Sequence, residues 1–185
     1  MSLKEYKRFD IAFMMFLAFV AELLGQYLHL KLPGAGFYLS FSTMIIVITM
    51  IRWGVIGASV SLGIVLASII VTKKIDFLII SIQLISYASA GIIPIIFYKK
   101  TVYEIISTTW MFLLYIISTF AIITLSYSLL AMMKGYSFGD IFLLYFNRQL
   151  FTLLMSYIVL LMIRHQKELL VDMTIYFNED KETKK

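Results

Sequence analysis

Cysteine is absent from all 185 residues, which excludes disulfides, iron–sulfur clusters and thiol chemistry together. Histidine occurs twice, too few for a dedicated zinc or copper centre. Charged residues make up only 15% of the chain, whereas a soluble domain carries about a quarter. The short signatures of several chemistries are missing as well. There is no G-x-x-x-x-G-K-[ST] for ATP, no H-E-x-x-H and no G-x-S-x-G. The composition leaves apolar surface: 61% of residues are hydrophobic and the mean hydropathy is +0.91. One small soluble core cannot hide that much. A membrane-spanning helix takes roughly 20 apolar residues, so the chain has room for about six or seven and for no separate catalytic unit. The net charge of +5 then reads as topology rather than nucleic-acid binding.

Hydropathy gives six spans, at 10–30, 41–53, 55–72, 77–98, 108–132 and 141–163. The second is short and only Arg52-Trp53-Gly54 separates it from the third, so it is either a tilted helix drawing on residues from Tyr38 onward or half of a helical hairpin. With the N-terminus inside, Lys4, Lys7, Arg8, Arg52, Lys99, Lys100, Arg164 and Lys167 lie on the inner side, against Lys31, Lys73, Lys74 and Lys134 outside. That imbalance predicts an all-α integral membrane protein of six transmembrane helices with both termini cytoplasmic. The first span is long, carries Glu22 and lacks an A-x-A site, so it reads as a retained helix and not a signal peptide. Residues 1–166 form the membrane domain and 167–185 a charged cytoplasmic tail. In that tail Leu169, Leu170, Met173, Tyr176 and Phe177 make a helical stripe suited to a membrane surface or a partner, or else the last helix simply continues.

Polar groups inside a membrane must be satisfied by protein or water, so their positions are informative. Glu22, Gln26 and His29 share one face of the first span, within about 60° of each other, in its outer half. Gln83, Ser86 and Tyr87 lie in the outer half of the fourth span, and Thr124, Tyr127 and Ser128 near the outer end of the fifth. Tyr145, Asn147, Arg148, Gln149 and Thr152 open the sixth. Four helices thus gather hydrogen-bonding side chains at one depth. Either they line a cavity open to the outside, or they form a structural network in which Glu22 pairs with Arg148 or His29. The loop Leu32-Pro33-Gly34-Ala35-Gly36-Phe37-Tyr38 suits a lid, or a tight aromatic-anchored connection. Gly54, Gly57, Ala58, Ser61, Gly63 and Ala67 smooth the third span, as Ala18, Ala21 and Gly25 smooth the first, for internal packing or for docking a partner. Trp110, toward the inner end of the fifth span, reads as packing. Glu22 and His29 are about 10 Å apart along their helix, too far for an acid–base pair, and no enzyme is expected.

The stretch 33–61, PGAGFYLSFSTMIIVITMIRWGVIGASVS, carries a glycine- and proline-bearing loop, a short helix, and an R-x-G turn into a small-residue helix. With the six-span layout it resembles the S-components of energy-coupling factor (ECF) vitamin transporters. The resemblance implies a bacterial inner-membrane binding subunit for a vitamin or related micronutrient. Such a subunit docks on an ECF transmembrane scaffold with two cytoplasmic ATPases, so ATP serves the partners and the chain itself needs no cofactor. It also implies a gating first loop and a site built from the outer parts of helices four to six. The expected substrate-binding residues are Glu22, Gln26, His29, Tyr38, Gln83, Tyr87, Thr124, Tyr127, Asn147, Arg148 and Gln149. The expected docking residues are Ala18, Ala21, Gly25, Gly57 and Ser61, with Ala21-x-x-x-Gly25 standing nearest to the family's A-x-x-x-A. Arginine favours carboxylates, pointing to a substrate such as pantothenate anchored by Arg148. A cationic or pyrimidine-like ligand on Glu22 is the other option. The rival class is a non-transporting six-helix scaffold subunit of a cell-shape or envelope complex.

Overall fold

In a computed structural model, residues 2–31, 38–73, 76–164, 166, 169–173 and 175–176 are described, and among them all regular structure is helical. Helix α1 spans Leu3–Lys31, α2 Ser42–Trp53 and α3 Ser61–Thr72, with a 3-10 segment Gly54–Val60 between α2 and α3. Helix α4, Phe77–Ala88, runs through a 3-10 turn into the short α5, Ile93–Ile96. A two-turn α6, Val102–Ser107, precedes α7, Thr109–Ala131, and α8 closes the bundle at Phe138–Ile163. Five stretches are long and apolar enough to cross a membrane: Leu3–Lys31, Ser42–Thr72, Phe77–Ile96, Thr109–Lys134 and Phe138–Ile163. The chain is a multi-pass membrane protein by that measure.

The second of those stretches doubles back on itself. Gly54 takes φ +61°, a conformation open mainly to glycine, and the chain reverses there. A Cβ on Gly57 would stand 2.6 Å from the Met50 amide nitrogen, seven residues earlier, which a continuous helix would hold about 10 Å apart. The expected second and third spans are therefore the two arms of one helical hairpin. Helix α2, at about 18 Å, is too short to span alone. It runs through the middle of the bundle with 11 of its 12 residues buried.

Helix α1 buries a single stripe, Asp10, Met14, Ala18, Glu22 and Gly25, and shows its other faces outward. Phe112, Ile46, Met50, Ile64, Ile93, Ile116 and Leu160 are fully buried at the centre. The outside is apolar, as lipid requires, and Trp110 is 66% exposed on it, where an indole suits the headgroup level; it does not pack in the core as expected. At one end of the bundle Arg52 donates to Asp10 (Nε–Oδ2, 2.8 Å) and to the Leu169 carbonyl, while Trp53 Nε1 donates to Asp10 at 2.6 Å. Leu170 and Met173 are buried there. Of the expected tail stripe Leu170 and Met173 are thus buried and Tyr176 is exposed, while Phe177 lies outside the described residues.

The small residues expected to dock a partner are taken up internally. Ala18 and Ser61 are buried, and a Cβ on Gly25 would stand 2.6 Å from the Leu39 carbonyl oxygen. Gly57 is pressed against α2. Only Ala21 is half-exposed. In lipid, close helix approach needs such residues, and here the hairpin and the α1–α3 pair consume them.

Two outcomes follow. Gly57→Ala should destabilise the protein by about 1–3 kcal/mol through overpacking against α2, read as a lower unfolding midpoint in detergent. Asp76 caps α4 by accepting from the Leu78 and Ile79 amides and pairs with Lys134 at 2.6 Å; that lysine, then the amides, hold its carboxyl below the usual aspartate value of 3.8. A depressed folded pKa means stability present in full above 3.8 and lost as pH falls through the folded value. Asp76→Asn should flatten that acid limb of the stability profile and leave the neutral-pH profile level.

Candidate functional site

At the opposite end, Glu22 is 3% exposed and its carboxylate is surrounded by donors. The Tyr38 hydroxyl and Gln26 Nε2 (3.0 Å) donate to Oε1, and the Ser40 and Ser42 hydroxyls donate to Oε2 at 2.8 Å each. Gln26 and Glu22 meet because they are four residues apart on one helix face. Tyr38, Ser40 and Ser42 reach Glu22 because the irregular segment before α2 lies against α1 at Gly25. Helix α8 holds that segment as well: Tyr38 N–H donates to the Arg148 carbonyl at 3.2 Å, and the Thr152 hydroxyl donates to the Tyr38 carbonyl. The segment is a strap joining α1, α2 and α8.

Beneath the strap lies a cavity of about 270 Å³. Its wall takes Glu22 and Gln26 from α1, Tyr38 from the strap, Ser68 and Thr72 from α3, Gln83 and Tyr87 from α4, Tyr127 from α7, and Ile141, Leu144, Tyr145, Arg148 and Gln149 from α8. Tyr127 stacks on Tyr145 with centroids 4.5 Å apart, and the Tyr145 and Tyr87 hydroxyls lie 3.3 Å from each other. The Arg148 guanidinium sits 5.0 Å over the Tyr38 ring. No carboxylate among the described residues comes within ion-pair reach of it. Gln149 Oε1 is buried without a hydrogen-bond partner.

Eight of the eleven residues expected in a site therefore share one cavity: Glu22, Gln26, Tyr38, Gln83, Tyr87, Tyr127, Arg148 and Gln149. Three stand apart. His29 lies half-buried, edge-on to Tyr38 at 6.0 Å. Thr124 is buried between α7 and α8, beside a separate small apolar cavity. Asn147, one residue from Arg148 and so turned about 100° away, is exposed outside the wall. The alternative pairing of Glu22 with Arg148 or His29 is replaced by hydroxyl and amide donors. Of the expected lid, only Tyr38 falls in the described residues; 32–37 lie outside them. Ser68 and Thr72 were not foreseen; their i, i+4 spacing at the end of α3 is the signal, obscured there by the small-residue pattern.

Among the described residues no three histidine, aspartate or glutamate side chains gather in a metal-binding cluster. The chemistry on offer is hydrogen bonding, aromatic stacking and one cation. Compared with known proteins, the chain matches no family model, no curated protein and no solved structure.

Glu22→Ala removes the common acceptor of four donors, three of them on residues that build the strap or open α2. A loss of about 3 kcal/mol is expected, since stranded buried donors cost more than a neutral hydrogen bond returns. Glu22→Gln, which keeps one acceptor oxygen, should lose less. Thermal unfolding of the two variants side by side checks the order.

Proposed function

We propose that this chain is a membrane-embedded binding subunit that captures a small polar metabolite, bearing a carboxylate, in the cavity beneath the Tyr38 strap. The single observation that carries the reading is that cavity: polar side chains from five helices and the strap converge on about 270 Å³. That volume is close to the lower end of small-ligand sites, about 300 Å³, and fits a vitamin-sized molecule better than a lipid or a peptide. Arg148 is the anchor, because its charge is uncompensated and a guanidinium takes a carboxylate in two parallel hydrogen bonds. Gln149 Oε1 supplies an acceptor for a ligand hydroxyl or amide, and the stacked tyrosines supply a flat wall.

The sequence resemblance of 33–61 to the S-components of ECF transporters supports a fuller reading of the same kind. On that reading the protein lies in a bacterial inner membrane with both termini cytoplasmic and the cavity facing outward. It delivers its ligand to a scaffold powered by two ATPases. The absence of a P-loop and the poverty in intramembrane ionisable groups favour binding over autonomous pumping.

Mass spectrometry of the small molecules released on denaturing the detergent-purified protein tests the proposal. A near-stoichiometric carboxylate-bearing metabolite is expected, and Arg148→Ala should weaken its binding about 10- to 100-fold without lowering the unfolding midpoint of the ligand-free protein. An empty protein that no vitamin in a panel stabilises would overturn the binding reading in favour of a membrane scaffold. A ligand bound equally by Arg148→Ala would remove the anchor.

A further inference from the structure

A second concavity, of larger volume, lies apart from the polar cavity. It is an open groove of about 860 Å³ between α1 and α3, on the outside of the bundle. Its walls are apolar, with Met15 and Phe19 of α1 facing Leu66 of α3. Gly63 forms part of its floor, where α3 lies against the Met15 carbonyl. At the Arg52 end of the bundle the groove finishes under Lys4, Lys7 and Arg8. These three follow i, i+3, i+4 spacing, and the same face continues through Ile11 and Met15 into the groove. One helix face therefore changes from cationic to apolar within a turn.

The cations are not neutralised locally. Glu5 accepts from the Ser2 amide at 2.8 Å, and Asp10 is turned inward onto Arg52 and Trp53. Lys7 Nζ rests 5.4 Å over the Trp53 ring, which orients it without cancelling its charge. Neither Lys4 nor Arg8 forms an ion pair among the described residues.

We propose that this groove is a binding site for an anionic phospholipid, with an acyl chain along the α1–α3 wall and the headgroup phosphate on Lys4, Lys7 and Arg8. Charge complementarity selects this occupant. A zwitterionic lipid satisfies the apolar wall equally but leaves the cations without net compensation. A second copy meeting this face about a two-fold axis would set the same three cations against themselves. The site is separate from the cavity and does not depend on what that cavity binds.

Native mass spectrometry of the full chain in detergent, with equimolar phosphatidylglycerol and phosphatidylcholine of identical acyl chains, decides the matter. Preferential retention of phosphatidylglycerol is expected, falling about fivefold for each cation removed. Lys4→Gln/Lys7→Gln/Arg8→Gln should then hold the two lipids equally. The control Lys99→Gln/Lys100→Gln should retain the full preference, and Ala12→Trp, which fills the groove, should reduce retention of both lipids. Lys7 touches Trp53, so Lys4→Gln/Arg8→Gln, which changes only exposed side chains, replaces the triple variant if that one fails to fold. Equal retention of the two lipids by the unaltered protein would overturn the site. So would a preference that survives loss of the cations, or that vanishes as readily in the control.

Discussion

Helix α2 is pinned to α1 by a carboxylate at each of its ends, and the rest of the bundle is built around that pairing. Asp10 and Glu22 sit 12 residues apart on the one buried stripe of α1, about 18 Å along its axis. Antiparallel to it, α2 presents Arg52 to Asp10 and Ser42 to Glu22. In water, apolar burial alone would drive α2 inward. In lipid it gives no such preference, since acyl chains are as apolar as leucine. The register of a short, wholly buried helix must then come from polar contacts and close packing. Two buried acceptors at fixed separation, with Gly57 tucked against the hairpin's first arm, supply it.

The two ends meet the cost of burying a charge differently. Asp10 is compensated by a cation, with two arginine nitrogens and an indole N–H directed at its oxygens. Glu22 has no cation and is surrounded instead by neutral donors. Breaking either arrangement strands several partners at once, which is why buried polar groups of this kind hold a fold in place more than they add to its stability. The neutral solution has a further consequence. Because hydroxyls and an amide satisfy Glu22, Arg148 is not drawn in to neutralise it. The guanidinium stays at the cavity wall, steadied by the Tyr38 ring.

Much of this was legible in the sequence, for a definite reason. A polar side chain in an apolar helix has few explanations, so depth along each span was enough to bring Glu22, Gln26, Gln83, Tyr87, Tyr127, Arg148 and Gln149 to one level. Rotation about the helix axis was less legible. Asn147 and Arg148 are neighbours in sequence and at one depth, yet only Arg148 lines the cavity, and hydropathy without an alternating pattern cannot decide which. Small residues were the least informative. Gly25, Gly57 and Ser61 announce close approach, but the sequence does not say whether the approaching backbone belongs to this chain or to another. The long-range polar contacts of Arg52 were also hidden, since a cation beside a turn reads equally well as a topology signal.

The contrast between the ends of the bundle bears on what the fold can do. Around Arg52 the buried charge is paired with Asp10, Trp53 is buried, and Leu170 of the tail joins the core. Around Glu22 the strap closes the rim, yet flat tyrosine rings and long amide side chains leave a gap beneath it, with one buried acceptor unmet. The bundle thus ties its buried carboxylate to a cation at one end and lines a hollow with unspent hydrogen-bonding groups at the other. What the hollow offers a small molecule is a cation, a free amide acceptor and flat aromatic walls.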